Sequence, residues 1–299
     1  MSNGYRIGID LGGTKTEALL IDIDGNKVFS KRIPTEKNYQ GTIKGIVNLI
    51  NEIEEKFTTV ESIGIGIPGS VSLETSLIKN ANSIWLNGKP LRNDLKKSLN
   101  KEIKLENDAN CFALSEAVDG AGKSHSVVFG VIIGTGTGAG IAIDKKVLKG
   151  KNRVAGEFGH NALPRSSDTE ISLAKPCYCG LRGCIETYLS GPGFTGIFNS
   201  THNTNFETKE IIELYENNDS RAVEALDDYV DRLARSLSDV INVLDPDIII
   251  LGGGMSNINY IYDHIDNKLS KYVFNETIFT KIVKNVHGDS GGVRGAAWL

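Results

Sequence analysis

Three cysteines lie within eight positions of one another, at Cys177, Cys179 and Cys184. A Cys-x-Cys pair is poorly spaced for an internal disulfide, so metal binding is the favoured role for these thiols. Three thiolates need a fourth ligand, and His160 precedes Cys177 by 17 residues. Three cysteines with one histidine form a structural zinc set without an open coordination position. The spacing therefore predicts a zinc ion that organises this loop, with reduced, unmetallated thiols as the alternative.

Three glycine-rich turns could hold phosphate: DLGGTKT (Asp10–Thr16), GTGTGAG (Gly134–Gly140) and LGGGMS (Leu251–Ser256). Successive N–H groups in such turns form anion-binding nests. The first turn is neither a P-loop nor a dinucleotide motif, because a strand rather than a helix follows it. The residues predicted to line this site are Asp10, Gly12, Gly13, Thr14, Lys15, Gly134, Thr135, Gly136, Thr137, Gly138, Gly252, Gly253 and Gly254.

Asp10 gives the first turn a chemistry that the second turn lacks, since the equivalent position in the second is Ile132. A single carboxylate beside a phosphate nest is suited to holding Mg²⁺, directly or through water. The alternative is a hairpin residue that caps its own turn.

Asp108 follows a predicted strand over residues 102–105 and precedes a predicted helix over 109–117. A helix cap is the simpler reading of Asn107 and Asp108. Phosphoryl transfer to an alcohol, however, needs a carboxylate that accepts the hydroxyl proton, and Asp108 is the candidate. Further polar groups that could hold the hydroxyls of a sugar are Asn107, Glu157, His160 and Glu186, although each alone is also compatible with a surface position.

The elements that must position these residues include an internal repeat. Gly8–Asp22 aligns without a gap on Gly130–Asp144, with four of 15 positions identical. Both segments predict strand, tight turn and strand. A chance match of two glycine-rich hairpins is the alternative to a duplication, which would give two domains of similar build joined near Val118–Ser126.

The other predicted elements alternate between helix and strand. Apolar residues recur at helical spacing from Ile43 to Phe57, a strand covers Ser62–Ile67, and a long helix covers Val223–Leu244. DPDIIILGGG reads as a loop, a buried strand and a glycine turn. This alternation is typical of an α/β protein.

Composition excludes several classes of protein. The chain of 299 residues is long enough for two domains, and its 33 basic and 37 acidic residues give a net charge of -4 without a basic block. Nucleic-acid binding therefore has no visible electrostatic source. No apolar run reaches the roughly 18 residues that a membrane span requires, and the N-terminus lacks the pattern of a signal peptide. We expect a cytoplasmic protein.

The motifs together resemble those of the ROK sugar kinases. They are DLGGTKT, GIGIPG (Gly64–Gly69), ENDANC (Glu106–Cys111), GTGTGAG, GEFGH (Gly156–His160), CYCGLRGCIE (Cys177–Glu186) and LGGGMS. HGDSGGVRGAAWL (His287–Leu299) resembles the family's closing helix. Within the family, KNANSIWLNGKPL (Lys79–Leu91) is most similar to bacterial fructokinases that also accept mannose.

The resemblance implies a two-domain actin-like ATPase (ribonuclease H-like) fold, with ATP and Mg²⁺ in a central cleft and a zinc-stapled loop. The expected domains are residues 1–118 plus 288–299, and residues 119–287. It also implies that Asp108 is the general base and that Asn107, Glu157, His160 and Glu186 contact the sugar. A homodimer is expected.

The resemblance predicts phosphorylation of D-fructose to fructose 6-phosphate, and an N-acetylglucosamine, N-acetylmannosamine or glucose kinase is the alternative. The loop Asn80–Gly88 is the expected wall against an N-acetyl group, with Asn82, Ser83 and Asn87 as hydrogen-bonding groups and Trp85 as a flat face; Trp85 as a packing residue is the alternative. ROK repressors carry a DNA-binding domain ahead of the first glycine turn, and only nine residues precede Asp10 here, so we do not expect a repressor. A chaperone or cytoskeletal ATPase has no need for the cysteine cluster.

Overall fold

The computed structural model describes residues 4–57 and 59–299, which form two compact units. Unit 1 contains the described residues of Met1–Ser124 with Gly140–Ala155 and Val286–Leu299, and unit 2 contains His125–Ala139 and Gly156–Asn285. Residues 140–155 thus pack with unit 1, although we expected them in the second domain. One reason is an ion pair, since the Lys149 ammonium lies 2.8 Å from a carboxylate oxygen of the buried Glu106.

The described residues contain strands and helices in the alternating order that the sequence predicts. The strands are β1 (Tyr5–Leu11), β2 (Lys15–Asp22), β3 (Lys27–Pro34), β4 (Val60–Ile67), β5 (Ser70–Val71), β6 (Ile78–Lys79), β7 (Lys104–Asn107), β8 (Val127–Ile133), β9 (Thr137–Ile143), β10 (Lys146–Val147), β11 (Ile248–Gly252) and β12 (Lys281–Lys284). The α-helices are α1 (Tyr39–Lys56), α2 (Leu91–Leu99), α3 (Asp108–Val118), α4 (Asp168–Leu173), α5 (Glu186–Leu189), α6 (Gly191–His202), α7 (Thr208–Glu216), α8 (Ser220–Leu244), α9 (Asn259–Leu269) and α10 (Gly291–Ala297).

Two sheets share one strand order. The first runs β3-β2-β1-β4-β7 and the second β10-β9-β8-β11-β12. In the first sheet β1 pairs antiparallel with β2 and parallel with β4, and in the second β8 pairs parallel with β11. The two segments of the internal repeat form the β1–β2 and β8–β9 hairpins, so the predicted strand, turn and strand are confirmed in both copies.

Helix boundaries follow the caps more closely than the apolar stripes. Helix α1 begins at Tyr39, four residues before the apolar stripe that starts at Ile43, because the Asn38 side chain accepts a hydrogen bond from the backbone N–H of Gly41. Helix α8 begins at Ser220, three residues before the predicted Val223, because Asp219 caps it. Among the described residues, no helix is both long enough and apolar enough to pass through a bilayer.

The C-terminal segment closes unit 1. Val293 and Ala297 of α10 pack with Leu19 and Ile21 of β2. The backbone of α10 also approaches β4 so closely that a Cβ atom at Gly64 would overlap the carbonyl of Ala296. The helix therefore needs a glycine on the strand beneath it. This packing explains why a segment from the end of the chain belongs to the first unit.

Candidate functional site

The first glycine turn joins β1 to β2. The Gly12 N–H donates to the carbonyl of Lys15 at 3.0 Å, which closes a tight hairpin, and Thr14 and Lys15 are exposed at its tip. Thr35, which follows the last residue of β3, stabilises the turn with two hydrogen bonds of 2.9 Å. Its N–H donates to the carbonyl of Thr14, and its hydroxyl donates to the carbonyl of Gly12. The sequence analysis missed Thr35, because nothing local to its position indicates a contact 23 residues away.

Asp10 is the last residue but one of β1 and lies opposite Gly66 of β4. Burial raises the pKa of its carboxyl to about 7, and repulsion from Asp108 and Glu17 adds to the effect. The neighbouring Glu17 pairs with Arg32 at 2.7 Å. A divalent cation stabilises a half-buried carboxyl that is repelled by a second carboxyl, so Asp10 fits the predicted magnesium site.

Asn107, rather than Asp108, caps the helix that follows β7. The Asn107 side-chain oxygen accepts from the N–H groups of Ala109 (2.9 Å) and Asn110 (3.2 Å), while its amide nitrogen donates to Gly69 at 3.1 Å. Asn107, predicted to contact sugar, is therefore engaged at both ends of its amide. Asp108 is half-buried at the first position of α3, where it accepts from the Ala109 N–H at 2.8 Å. Asn107 is thus the N-cap, and Asp108 is the first residue of the helix.

Glu106 holds the start of α3 in place. This buried carboxylate accepts from the Asn107 N–H at 3.1 Å and from the Asn110 amide at 3.0 Å, and the Lys149 ion pair completes its surroundings. The sequence analysis did not single out Glu106. Its four-residue spacing from Asn110 was the available signal, because it places the two side chains on one side of the helix start.

The loop Asn80–Gly88 does not present its side chains as predicted. The Trp85 ring packs against the hydrophobic core of unit 1, and its N–H donates to the Thr42 hydroxyl at 3.1 Å. Both ends of the Asn87 amide bond to the backbone of Ala81, and Ser83 is buried. Asn82 is exposed. The loop is therefore held by its own hydrogen bonds and by packing, which supports the alternative of Trp85 as a packing residue.

The cysteine cluster has the dimensions of a zinc site. The ligand atoms of His160, Cys177, Cys179 and Cys184 all lie within 4.8 Å of one another. The Cys179 and Cys184 sulfurs are 3.6 Å apart, and the Cys177 sulfur lies 3.5 Å from His160 Nδ1. Tetrahedral zinc with bonds of about 2.3 Å to sulfur places neighbouring sulfurs about 3.8 Å apart. The four residues therefore fit the predicted zinc ion.

The Nε2 edge of the His160 ring lies beside polar groups. Its Nε2 atom lies 2.9 Å from the Tyr178 hydroxyl and 4.0 Å from an oxygen of the exposed Glu157. Because Nδ1 is on the side of the cysteines, Nε2 is directed away from them, and a ligand that bonds to Nε2 would take the place of the Tyr178 hydroxyl. This orientation allows the double role that the resemblance implies for His160.

Glu186 connects the cysteine loop to the second glycine turn. Its carboxylate accepts from the backbone N–H of Thr137 at 2.9 Å and lies 3.9 Å from the Cys177 sulfur. The turn itself is closed by the Gly134 N–H, which donates to the Gly136 carbonyl at 2.9 Å. The Glu186 carboxylate therefore accepts a hydrogen bond from one of the N–H groups predicted to bind phosphate.

The second and third glycine turns lie side by side at the ends of the parallel strands β8 and β11. Gly253 has a φ of 82°, and an added Cβ would lie 2.6 Å from the Ile133 carbonyl, so only glycine fits there. Gly134, Thr135 and Gly254 line one cavity of ≈ 760 Å³ in unit 2, together with apolar and polar side chains of α6, α7 and the start of α9. The cavity is large enough for a nucleotide, and the sequence analysis did not foresee its apolar residues.

Comparisons with known proteins agree with one another on the family. The model described as "ROK family" matches residues 6–299. An N-acetyl-D-glucosamine kinase from Escherichia fergusonii is 39% identical over 296 residues, which cover 98% of both chains. The ROK hexokinase from Thermus thermophilus superposes with a TM-score of 0.86 at 25% identity, covering 98% of this chain and 96% of that one. A ROK family glucokinase from Streptomyces griseus, in complex with glucose and AMPPNP, gives 0.80 at 27% identity and 98% of each chain.

These similarities confirm the resemblance to ROK sugar kinases and the α/β, actin-like ATPase type of fold. They do not support the finer resemblance to fructokinases, because the similar curated relatives are N-acetyl-D-glucosamine kinases.

Proposed function

The chain belongs to the ROK family, and we propose that it transfers a phosphoryl group from ATP to N-acetyl-D-glucosamine, giving the 6-phosphate. The observation that carries the choice of sugar is the 39% identity to an N-acetyl-D-glucosamine kinase along essentially the whole of both chains. This proposal replaces fructose, which we expected from the loop Asn80–Gly88.

The structure of that loop weakens the physical argument for fructose. Selection against an N-acetyl group required Trp85 and Asn87 to face the sugar. Trp85 instead packs on the core with its N–H bonded to Thr42, and Asn87 is used by Ala81. Both side chains therefore stabilise the loop, which weakens the argument that they select against an N-acetyl group.

We assign the proton transfer to Asp108. Its carboxylate accepts the proton of the C6 hydroxyl as that oxygen forms a bond to the γ-phosphorus, and the bond to the ADP oxygen breaks. Asn107 caps α3 and Glu106 fixes the backbone before it. Asp108 is therefore placed on a rigid helix start, which keeps its position constant during turnover.

Asp10 is the residue that would hold Mg²⁺, directly or through water. When bound, the cation neutralises charge on the phosphates of the donor. The pKa of Asp10, about 7 without a cation, reflects burial and repulsion from Asp108 that a positive ion would relieve.

The sugar-binding groups proposed for unit 2 are Glu157, His160 and Glu186. The zinc ion would fix the His160 ring through Nδ1 and keep Nε2 directed outward, because the ligand atom sets the ring orientation. Asn107 contributes to the site indirectly, because it caps the helix that begins with Asp108. Asn82 is exposed on unit 1. Each of these contacts stays a proposal.

The cavity beside the second and third glycine turns is the proposed nucleotide site. Gly134, Thr135 and Gly254 would face the phosphates, and the apolar side chains Met255 and Ile258 would contact the nucleoside. Lining of this kind, mostly apolar with a few backbone N–H groups, is typical of cofactor pockets.

A panel of sugars tests the proposal: N-acetyl-D-glucosamine, N-acetyl-D-mannosamine, glucose, mannose and fructose, each with ATP and Mg²⁺, scored by ADP release. We expect kcat/KM for N-acetyl-D-glucosamine to exceed that for fructose by about 10² or more. Trp85→Phe serves as a control, because it removes the bond to Thr42 without facing the sugar and should leave this ratio unchanged. A preference for fructose contradicts the proposed substrate, and ADP release that does not depend on any sugar contradicts the kinase reaction itself.

A further inference from the structure

The cavity in unit 2 has apolar walls beyond its glycine turns. Pro192, Ile212, Tyr215, Met255 and Ile258 supply these walls. Met255 and Ile258 are buried, and Ile212 and Tyr215 are half-buried. A nucleoside bound in this cavity would contact aliphatic side chains and one aromatic ring.

Tyr215 is held firmly in this wall. Its ring meets the Tyr260 ring edge to face at a centroid distance of 5.5 Å, and Tyr260 in turn stacks on His264 at 3.8 Å and 19°. Tyr260 also places its hydroxyl 3.4 Å from Asp227. Packing of this kind fixes the Tyr215 ring before a ligand arrives, so it offers a preformed face to a planar base.

Most of the polar side chains of the cavity are exposed to solvent, and these exposed side chains form its rim. Lys209, Glu216, Asn257 and Asn259 are exposed to solvent, and the Lys209 side chain is 86% exposed. Asn257 donates to the carbonyl of Gly254 at 3.2 Å. Thr208 also lines the cavity and is half-buried, and its hydroxyl lies 2.7 Å from the hydroxyl of Thr195.

Backbone groups beside the apolar walls are also engaged. The Gly191 N–H donates to the Gly134 carbonyl at 2.8 Å, and the Ile258 N–H donates to that of Met255 at 3.2 Å. The carbonyl of Tyr215 accepts from Asn218 at 2.9 Å. These bonds hold the walls together and leave the edge of a base to water and to the exposed rim.

A site discriminates strongly between ligands only when a wrong ligand leaves buried polar groups without partners. This cavity has an apolar wall for the base and a solvated rim for its edge. We propose that the enzyme recognises the donor by its polyphosphate and by the planar face of a purine, and therefore uses guanine and hypoxanthine nucleoside triphosphates as well as ATP. The proposal rests on the proposed function, since it assigns this cavity to the donor.

The test uses the purified full-length enzyme with its metal, a saturating amount of whichever hexose the sugar panel identifies, and a constant excess of Mg²⁺. Sugar phosphate is measured directly with ATP, GTP, ITP or CTP, so that no coupling enzyme imposes its own base preference. We expect kcat/KM for GTP and ITP to lie within about tenfold of that for ATP, the range over which apolar pockets discriminate. CTP should be weaker, because a single ring covers less of the apolar wall.

A preference for ATP over GTP of about 10³ or more overturns the inference, since it requires a buried group that reads the base. That result leaves the kinase reaction standing. Failure of all four nucleotides to yield sugar phosphate overturns the proposed function instead, so the two failures can be told apart.

Two variants of one residue locate the recognition. Tyr215→Ala should raise KM by the same factor, about tenfold, for ATP and for GTP, because it removes a shared contact face. Tyr215→Phe keeps the face and loses the hydroxyl, so it should leave the ATP to GTP ratio of kcat/KM within twofold of the wild-type value. An ATP to GTP ratio that shifts by about tenfold or more in Tyr215→Phe, or in Asn259→Ala, identifies a group that reads the base edge and contradicts the proposal. An unchanged KM in Tyr215→Ala contradicts it as well.

Discussion

The carboxylate of Glu186 accepts a hydrogen bond from the backbone N–H of Thr137 at 2.9 Å. Thr137 belongs to the glycine turn predicted to bind phosphate, and Glu186 is one of the residues predicted to bind the sugar. A negative charge therefore lies on a donor that a phosphate would use. A phosphate that bound to this N–H, as proposed, would displace Glu186 from it.

Glu186→Gln should strengthen nucleotide binding and weaken sugar binding. The amide oxygen of Gln can still accept from Thr137, but the charge that repels an incoming phosphate is lost. We expect the Kd for nucleotide to fall about fivefold, equivalent to about 1 kcal/mol, and the KM for sugar to rise. Calorimetric titration with a non-hydrolysable ATP analogue measures the first change, and steady-state kinetics the second. Weaker nucleotide binding by the variant would mean that Glu186 only braces the turn.

Asp108→Asn should abolish most of the turnover without unfolding the protein. Asn keeps the size of the side chain and an acceptor for the Ala109 N–H, but it cannot take up a proton at neutral pH. We expect kcat to fall by about 10² or more, with a smaller change in sugar binding. The matched control is Asn107→Ala, which removes the helix cap and should cost about 1 kcal/mol of stability. Turnover by Asp108→Asn within a few-fold of wild type would place the base elsewhere.

Metal analysis of protein purified without chelator should find about one zinc ion per chain, because four ligand atoms of the structural zinc type lie together. Cys179→Ser should lose both the metal and the activity, since His160 loses the ion that fixes its ring. Cys111 is buried in unit 1, apart from the cluster, and Cys111→Ala should retain the zinc. Zinc-free protein with full activity and an unchanged Tm would remove the structural role of the metal.

Acid stability should depend on Glu170, a buried carboxylate between two arginines. Burial alone would raise the pKa of Glu170, but hydrogen bonds from Arg235, from the Ser167 backbone and from Arg232 outweigh it and hold the pKa at about 2. Because the folded-state pKa lies below the ordinary value of 4.5, the charged form stabilises the fold above that value. This stabilisation is lost as the pH falls from about 5 towards 2.

Glu170→Gln provides the comparison for this pH dependence. The variant should be destabilised by about 3 kcal/mol at neutral pH, because the two buried guanidinium groups lose the carboxylate that they share. Within the described residues, Arg232 then keeps only Asp228 as an ionic partner, and Arg235 keeps only Asp231. Urea unfolding at several pH values should show the wild type losing this advantage between pH 5 and pH 2. A difference between the two proteins that stays constant over this range would contradict the assignment to Glu170.

Local sequence determined the parts of this protein that depend on neighbouring residues. The cysteine spacing, the two hairpins of the repeat and the three glycine turns all follow from residues within one turn or loop, and the family follows from their order. Most of the predicted helices and strands are present, with ends that move by a few residues. Those ends differ because caps such as Asn38 and Asp219 lie outside the apolar stripes by which the helices were recognised.

Only the tertiary structure decided the contacts between distant segments. Trp85 meets Thr42 across 43 residues, and Thr137 meets Glu186 across 49. Glu170 meets Arg235 across 65. The type of a side chain determines which hydrogen bonds or ion pairs it can form. Its actual partner depends on which segments of the chain pack beside it. The cap bonds of Asn107 are local, but its bond to Gly69 depends on the pairing of β7 with β4.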